Sequence, residues 1–401
     1  HECPQVQSLS IAGSLRRKKE VIKDIDILAA SEEAEKVMDF LVSLPNVADI
    51  IGMGSTKTSV RLYGGITVDL RVVGPDQYPY ALHHFTGSKE HNTKMRHIAK
   101  SLGLKMNEYG MFREEDGCIV PCSDETDIFH VLGMAYIPPE MREDMGEIEA
   151  ALENRLPKLV ESNDLKGIFH VHTSYSDGTN SIKELAEEVR RHGYQYIGIS
   201  DHSRSAYYAR GLSIDDVKRQ HEEIDALNKL YEDFHIFKGI ESDILPDGSL
   251  DYPDKLLERF DFVIISVHSQ FRMNREDMTK RILKAMDHPA ATILGHPTGR
   301  LLLSRDAYDV DMERILEKAA EKEMVLEINA DPHRLDLDWR WIIKAKGMGI
   351  RLMINPDAHN LDTILCIEYG LAMARKGWCE KNDILNCLDI NSMKAYLNKV
   401  L

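Results

Sequence analysis

Phe169-His170-Val171-His172-Thr173-Ser174-Tyr175-Ser176-Asp177-Gly178 closes an apolar run that begins at Leu165. The run, Leu165 to Phe169, reads as a buried strand. Side chains at i and i+2 point to the same side of a strand. His170 and His172 are therefore expected to face one point, to which Asp177 returns from the turn. Imidazole with carboxylate suits zinc, manganese or iron. A lone His-x-His strand is more often packing than a site, so repetition has to carry the reading.

The pattern does repeat. Tyr196 to Ser200 ends in Asp201-His202, and Phe234 to Ile240 ends in Glu241. Phe262 to Val267 ends in His268, and Thr292 to Gly295 in His296. Val325 to Asn329 ends in Ala330-Asp331, and Ile350 to Pro356 in Asp357-Ala358-His359. Helical patterns separate most of these strands; one, Ser181 to His192, opens on the capping box Ser181-Ile182-Lys183-Glu184 and stops at Gly193. Strand–helix alternation predicts parallel strands, and continuous apolar runs suit strands covered on both faces. Polar groups gathered at the C-terminal strand ends are the arrangement of an α/β-barrel active site. Seven strands of this kind are expected, one short of the usual barrel.

The 401 residues allow two or three domains. No run is long and apolar enough to span a membrane. Six cysteines without a Cys-x-x-Cys spacing point to reduced thiols and a cytoplasmic location, and Cys118/Cys122 to half-buried thiols in a hairpin. A formal charge of −16 speaks against a chain coated in nucleic acid but leaves room for local basic grooves. The chain starts at His1 with a strand almost at once, from which a missing N-terminal portion is expected.

Residues 1–75 read as one α/β unit. Leu9 to Ala12 forms a strand, Asp24-Ile25-Asp26 opens a second, and Glu32 to Leu44 has helical spacing. Val60 to Leu62 and Thr67 to Val73 form a hairpin turned at Gly64-Gly65, with Asp69 on the second arm. Asp24 and Asp26 share a strand face, which Asp69 joins from next door. Three carboxylates without histidine make an oxygen-only site suited to Mg²⁺ and a phosphate chain. Gly13-Ser14 offers backbone N–H groups to phosphate, with Arg17 as a charged clamp. Gly52 to Thr58 fails the P-loop spacing and reads as a glycine-rich turn. Residues 76–140 hold a basic helix from Lys89 to Leu102, a small hairpin from Asn107 to Val120 and a short helix from Thr126 to Leu132. Residues 141–164 turn acidic and read as a linker with a helical piece, and the barrel follows over residues 165–401.

Together these motifs resemble one family. Gly13-Ser14-x-Arg16-Arg17, Asp24-x-Asp26 and Val68-Asp69-Leu70 resemble the nucleotidyltransferase palm of family X DNA polymerases. His84-Phe85-Thr86-Gly87-Ser88, Asn92, Met95-Arg96 and Asn107-Glu108-Tyr109 resemble their small α+β thumb. The second half resembles the PHP (polymerase and histidinol phosphatase) barrel of bacterial and archaeal members. The resemblance implies that Asp24, Asp26 and Asp69 hold Mg²⁺ for nucleotidyl transfer. Gly13, Ser14 and Arg17 would hold the triphosphate, and Phe85, Gly87, Asn92 and Arg96 would face the nucleotide and template. It implies three Mn²⁺ or Zn²⁺ ions in the barrel. His170, His172, Glu241 and Asp357 would serve the first, Glu241, His268 and His296 the second, and Asp177, His202 and His359 the third. Arg204 and Arg300 are candidate phosphate contacts. The implied partners are a DNA primer-template and dNTP, with no membrane, for a monomer that extends DNA and hydrolyses its 3′ ends. The alternative is a histidinol-phosphatase-like enzyme with a vestigial polymerase half. Two departures stand out. His84 replaces a usual tyrosine, which bears on ribose discrimination. The DNA-binding module and fingers that precede the palm are not in this sequence, so its polymerisation is expected to be weak.

Overall fold

Short strands with one face against a helix build the first of two units, His1–Pro157 and Lys158–Leu401. The computed structural model describes residues 3–400. Strands β1 (Ser8–Ile11), β2 (Asp24–Ala30), β3 (Val47–Met53), β4 (Lys57–Leu62) and β5 (Thr67–Val73) form a mixed sheet in the order β1-β2-β5-β4-β3. Only β2 and β5 run parallel, with Asp24 opposite Thr67 and Asp26 opposite Asp69. One sheet face packs Ala29, Leu70 and Val72 against Val37 and Met38 of the helix Ala34–Ser43. The other packs Leu28 against Ala81 and Leu82 of the helix Tyr78–Thr86.

Strand β3 departs from the expected glycine-rich turn. It runs through Gly52-Met53, pairs with β4, and leaves only a tight reversal at 54–56. Six of its seven residues are exposed, so it lacks the apolar alternation that marks a strand in sequence. The basic helix spans Lys89–Ser101, capped by Ser88. A hairpin of β6 (Leu104–Asn107) and β7 (Gly110–Arg113) follows, then the helix Glu125–Val131.

The second unit holds seven parallel strands in sequential order. They are β8 (Gly167–Val171), β9 (Tyr196–Ile199), β10 (His235–Asp243), β11 (Phe262–Ser266), β12 (Ile293–Leu294), β13 (Val325–Asn329) and β14 (Leu352–Asn355). The sheet closes where Val171 bridges Ala358, with His172 N donating to Ala358 O (2.8 Å) and Ala358 N to His170 O (3.1 Å).

Each strand contributes an apolar side chain to the bottom of the barrel. Phe169, Tyr196, Phe237, Phe262, Ile293, Val325 and Met353 form one cluster, plugged by Met393 and Leu397 of the C-terminal helix Ile390–Val400. Burying each large side chain contributes about 1.5–3 kcal/mol. A Cβ at Gly198 or Gly239 would lie 2.2 Å from Phe169 or 2.1 Å from Phe262, so these positions are bare to admit the rings.

Alternation then carries each column upward from apolar to polar. Phe237 leads through Gly239 to Glu241, Phe262 through Ile264 and Ser266 to His268, and Met353 through Asn355 to Asp357. On β8 this phase is wrong, because Phe169 is odd and the histidines are even. A register shift between Ile168 and Val171, with φ of 57° at His170, changes the phase. The two histidines thus converge through a backbone irregularity rather than through plain alternation. His296 (φ 24°) and Asp357 (φ 52°) are left-handed as well, a conformation that costs of order 1–3 kcal/mol at each and clusters at functional sites.

Candidate functional site

Glu241, 1% exposed, is the hub of the polar end. Its Oε1 lies 2.9 Å from His296 Nε2, 3.2 Å from His268 Nε2 and 3.3 Å from His170 Nε2. Its Oε2 lies 2.9 Å from His202 Nδ1 and 3.7 Å from His172 Nε2. Asp357 Oδ1 faces His172 Nε2 at 3.2 Å and His170 Nε2 at 3.5 Å. Asp177 faces His359 at 3.4 Å, His202 at 3.6 Å and His172 at 3.8 Å. Among the described residues, three groups bring their ligand atoms within 4.8 Å: His172/Asp177/His202/His359, His170/His172/Asp357 and His202/Glu241/His268. All nine residues expected to serve metals meet here except His296, which joins through Glu241. The grouping differs in detail from the expected sets, since His172 and His202 are each shared between two groups.

The donor set fits divalent ions. His170 Nε2, both nitrogens of His172, His202 Nδ1, His296 Nδ1 and Glu241 Oε2 are buried and make no well-aligned hydrogen bond, even where a neighbour such as the His202 Nδ1–Glu241 Oε2 pair lies at 2.9 Å. Each such atom costs about 1–3 kcal/mol if unsatisfied. Metal-ligating histidines usually donate their other ring N–H to a carboxylate or carbonyl, which fixes the tautomer. His170 Nδ1 lies 2.5 Å from Glu327, His268 Nδ1 2.6 Å from Asp243, and His359 Nδ1 2.9 Å from the Asp357 carbonyl.

Glu327 was not singled out from sequence. It is fully buried, accepts also from His296 N (2.7 Å) and Asn355 Nδ2 (2.9 Å), and so ties three strand ends together. Its signal was Val325-Leu326-Glu327-Ile328-Asn329, where alternation puts Glu327 and Asn329 inside. Asp201 was missed in the same way. It accepts from Thr173 N and Oγ1 (both 2.7 Å), from Ser176 and from Gln220 Nε2 (2.6 Å), and anchors the loop that delivers Asp177.

Among the described residues, neither expected phosphate-contact arginine forms an ion pair with a cluster carboxylate. Arg300 bonds Arg334 O (2.9 Å), Leu335 O and Asp338 (2.8 Å), so it braces a loop. Arg204 is half exposed, 3.9 Å from Asp251. Arg334 is the guanidinium beside the site, 3.6 Å from Asp357 Oδ2.

Charge coupling in the metal-free chain is strong. Burial opposes protonation of His268, but Glu241 and Asp243 outweigh it and push the imidazole up to about 10. Burial likewise opposes His359, yet Asp177 and Asp357 carry it to about 9. Burial with the imidazoles of His202 and His359 pushes His172 down to about 4. A histidine raised on folding contributes stability fully present below its unfolded value, 6.5, and lost as pH rises through the folded one. The EDTA-treated chain is therefore expected to lose melting temperature progressively from about pH 6.5 to about pH 10 in calorimetry. With metal bound, the imidazoles are neutral ligands and that fall should vanish. Parallel profiles for both forms would refute the coupling.

In the first unit, Gly13 (φ 58°) lets the backbone approach Asp26, where a Cβ would meet Oδ2 at 1.9 Å. Ser14 lies in the short helix Gly13–Arg16. Burial, Asp24 and Asp69 raise Asp26 above the usual carboxylate range. Burial raises Asp69 too, but hydrogen bonds from Lys57 (2.5 Å) and Ser59 (2.6 Å) hold it below that range. Asp24, Asp26 and Asp69 share an edge of the β2–β5 pair without gathering as tightly as the barrel residues. Arg17 departs from the expected clamp: it bonds Glu143 (3.0 Å) and the Thr86 carbonyl (2.8 Å). Asn92 donates to the carbonyls of His84 (2.6 Å) and Gly87 (3.2 Å) and so shapes that turn. A Cβ at Gly87 would meet Asn92 Oδ1 at 2.4 Å. Phe85 carries the Arg71 guanidinium 4.4 Å above its ring, and Arg96 is exposed beside Thr93. His84 is half-buried, its ring 5.0 Å from Phe85.

Residues 81–143 match the DNA polymerase beta thumb family, and residues 169–331 match the PHP domain family. The chain is 42% identical over 392 residues to the DNA polymerase/3′-5′ exonuclease PolX of Bacillus subtilis, covering 97% of this chain and 68% of that one. It is 31% identical to a probable phosphatase of Caldanaerobacter subterraneus over 50% of this chain and 77% of the relative. Human DNA-directed DNA/RNA polymerase mu is 40% identical over 90 residues, 22% of this chain and 18% of that one.

Proposed function

This chain belongs to the family X DNA polymerases that carry a PHP domain, and from that premise we propose that it joins templated DNA synthesis to metal-dependent hydrolysis of DNA 3′ ends. One observation carries the hydrolytic half: nine imidazoles and carboxylates meet at one end of a closed sheet, with six donor or acceptor atoms buried and without a well-aligned hydrogen bond. The probable phosphatase matches half of the chain, whereas the polymerase/exonuclease matches nearly all of it. That favours the two-activity reading over a small-molecule phosphatase.

The reading assigns residues 1–75 to a palm, 76–140 to a thumb, 141–164 to a linker and 165–401 to the phosphoesterase. In the palm, Asp24, Asp26 and Asp69 are oxygen donors suited to Mg²⁺. Lys57 and Ser59 orient Asp69, and Gly13 leaves room beside Asp26 for the phosphate chain. In the barrel, histidine-rich donors favour Mn²⁺ or Zn²⁺. His170, His172, Glu241 and Asp357 would hold one ion, Glu241, His268 and His296 a second, and Asp177, His202 and His359 a third. When bound, such ions polarise the phosphoryl group and acidify a water. Glu327 and Asp243 keep the imidazoles aimed inward, and Arg334 supplies fixed positive charge at the rim. Primer-template DNA and dNTP are the partners. No helix among the described residues is long and apolar enough to cross a membrane. The reading takes the chain as a cytoplasmic monomer.

The test is a comparison of Asp26→Ala with His202→Ala on a labelled primer-template. Asp26→Ala should lose extension in Mg²⁺ and keep 3′-end hydrolysis in Mn²⁺. His202→Ala should do the reverse, losing at least about a hundredfold in hydrolysis, more than the outer-shell loss of 10–100-fold. Equal loss of hydrolysis in both variants would move the nuclease into the palm. Hydrolysis of a small phosphomonoester alone would restore the phosphatase alternative.

A further inference from the structure

Two consecutive tyrosines stand at the rim of the barrel in the segment after β9. Tyr207 is 84% exposed and Tyr208 is 69% exposed. Adjacent exposed aromatics form a contiguous apolar surface of the kind that meets another molecule. The turn that carries them is firmly held. Ala206 and Ala209, on either side, are buried, and Gly211 packs so closely on Ser203 O that a Cβ there would lie 1.9 Å from it. Ser205 N bonds Asp251 (2.6 Å), and Ser205 Oγ bonds Asp243 Oδ2 (2.7 Å). The other oxygen of Asp243 orients His268 Nδ1 at 2.6 Å. One carboxylate thus fixes both a histidine of the metal cluster and the tyrosine turn.

The Tyr208 ring centroid lies 6.1 Å from that of His202 and 6.5 Å from that of His268. A phosphoryl group seated on the cluster would put its attached nucleoside within reach of this ring. Every nucleobase has a π-face, and aromatic side chains are the sequence-tolerant way to hold single-stranded ends. We propose that Tyr208 is a positioning residue that stacks on the base of the 3′-terminal nucleotide, so that the barrel selects nucleic-acid ends over bare phosphate esters. Tyr207, further out, extends the platform toward the next base. This rests on the 3′-end hydrolysis proposed above and adds the group that recognises the substrate.

The test compares single-stranded oligonucleotides ending in thymidine with the same oligonucleotides ending in a tetrahydrofuran abasic residue, in Mn²⁺, for the full chain. Tyr208→Ala should raise KM for the thymidine end about tenfold or more, with kcat changed less, as expected for losing one base–aromatic contact. On the abasic end the same variant should stay within about twofold of the parent. Tyr208→Phe, which keeps the ring, should match the parent on both. Anisotropy with a phosphorothioate-ended oligonucleotide should show the same split in Kd. Equal losses on both ends would mean that Tyr208 only supports the fold of the turn, and a Tyr208→Phe loss as large as that of Tyr208→Ala would assign the role to the hydroxyl. Either result overturns stacking, as does parental behaviour of Tyr208→Ala. If the parent chain cleaves no oligonucleotide at all, the hydrolytic function falls and this proposal with it. If it cleaves well and Tyr208→Ala cleaves equally well, this proposal alone falls.

Discussion

Glu241→Ala is expected to lower kcat/KM for 3′-end hydrolysis by at least about a thousandfold and to leave fewer metal ions per chain. Second-layer partners of metal ligands typically cost 10–100-fold when removed, and Glu241 stands inside that layer. Its two oxygens face five imidazoles within 3.7 Å, from His170, His172, His202, His268 and His296. No other carboxylate in the cluster touches as many. Removing it takes a ligand from two of the three proposed ions and leaves His170 and His268 without a major source of their negative surroundings. Elemental analysis of the Mn²⁺-loaded variant, with kinetics on a 3′-labelled strand, reads both effects. Full metal occupancy with activity within tenfold of the parent would remove Glu241 from the centre. Circular dichroism of the variant separates lost chemistry from lost fold. Primer extension, in the other unit, should not change.

The second large effect is on stability. Glu125 is 7% exposed and accepts from Arg142 Nη1 (2.5 Å) and from both terminal nitrogens of Arg16 (3.1 and 2.6 Å). Arg142 is wholly buried, 5.0 Å over Phe129 and 5.4 Å over Tyr136, with Nε on Ile137 O. Breaking such a pair by deleting one partner strands a buried charge, which costs about 3–5 kcal/mol. Glu125→Ala should destabilise the first unit by that amount. Glu33→Ala, which removes an exposed ion pair with Lys36, should cost less than about 1 kcal/mol. All three tryptophans, Trp339, Trp341 and Trp378, lie in the second unit. Their fluorescence during urea denaturation should therefore barely respond to Glu125→Ala. Amide hydrogen exchange over the helices Tyr78–Thr86 and Glu125–Val131 should accelerate by two or more orders of magnitude. Unchanged protection there would show that Arg142 finds another partner or water.

Much of the barrel was readable because each strand carries its own punctuation. The apolar run Val325-Leu326-Glu327-Ile328-Asn329 coincides with β13, and the other six runs lie within a few positions of their strands. Hydrophobic runs report burial, and a terminal His or Asp reports an interruption that burial alone does not explain. Other features depend on residues far away in sequence. Arg17 and Arg300 look like free cations until Glu143 and Asp338 appear beside them. Alternation within β13 turns Glu327 inward, but its role as a brace for imidazoles is not a local property. Its partners His170 and Asn355 come from other strands. The β3 strand was invisible because it is exposed, and exposure leaves no periodic mark. The phase change at His170 is likewise a tertiary effect, set by how β8 meets β9.

The bridge between Val171 and Ala358 also dictates when the metal centre first exists. During synthesis the histidines at 170 and 172 leave the ribosome long before Asp357 and His359. At about 5–20 residues per second the interval is roughly 10–40 s. Within it His170, His172, His202 and Glu241 emerge in turn with no closed sheet to shield them. The complete ligand set therefore forms only once the last strand, Leu352–Asn355, and the Val171–Ala358 bridge are in place. Premature capture of a tightly held ion such as Cu²⁺, which outcompetes zinc and manganese for imidazole, is the natural error of this topology.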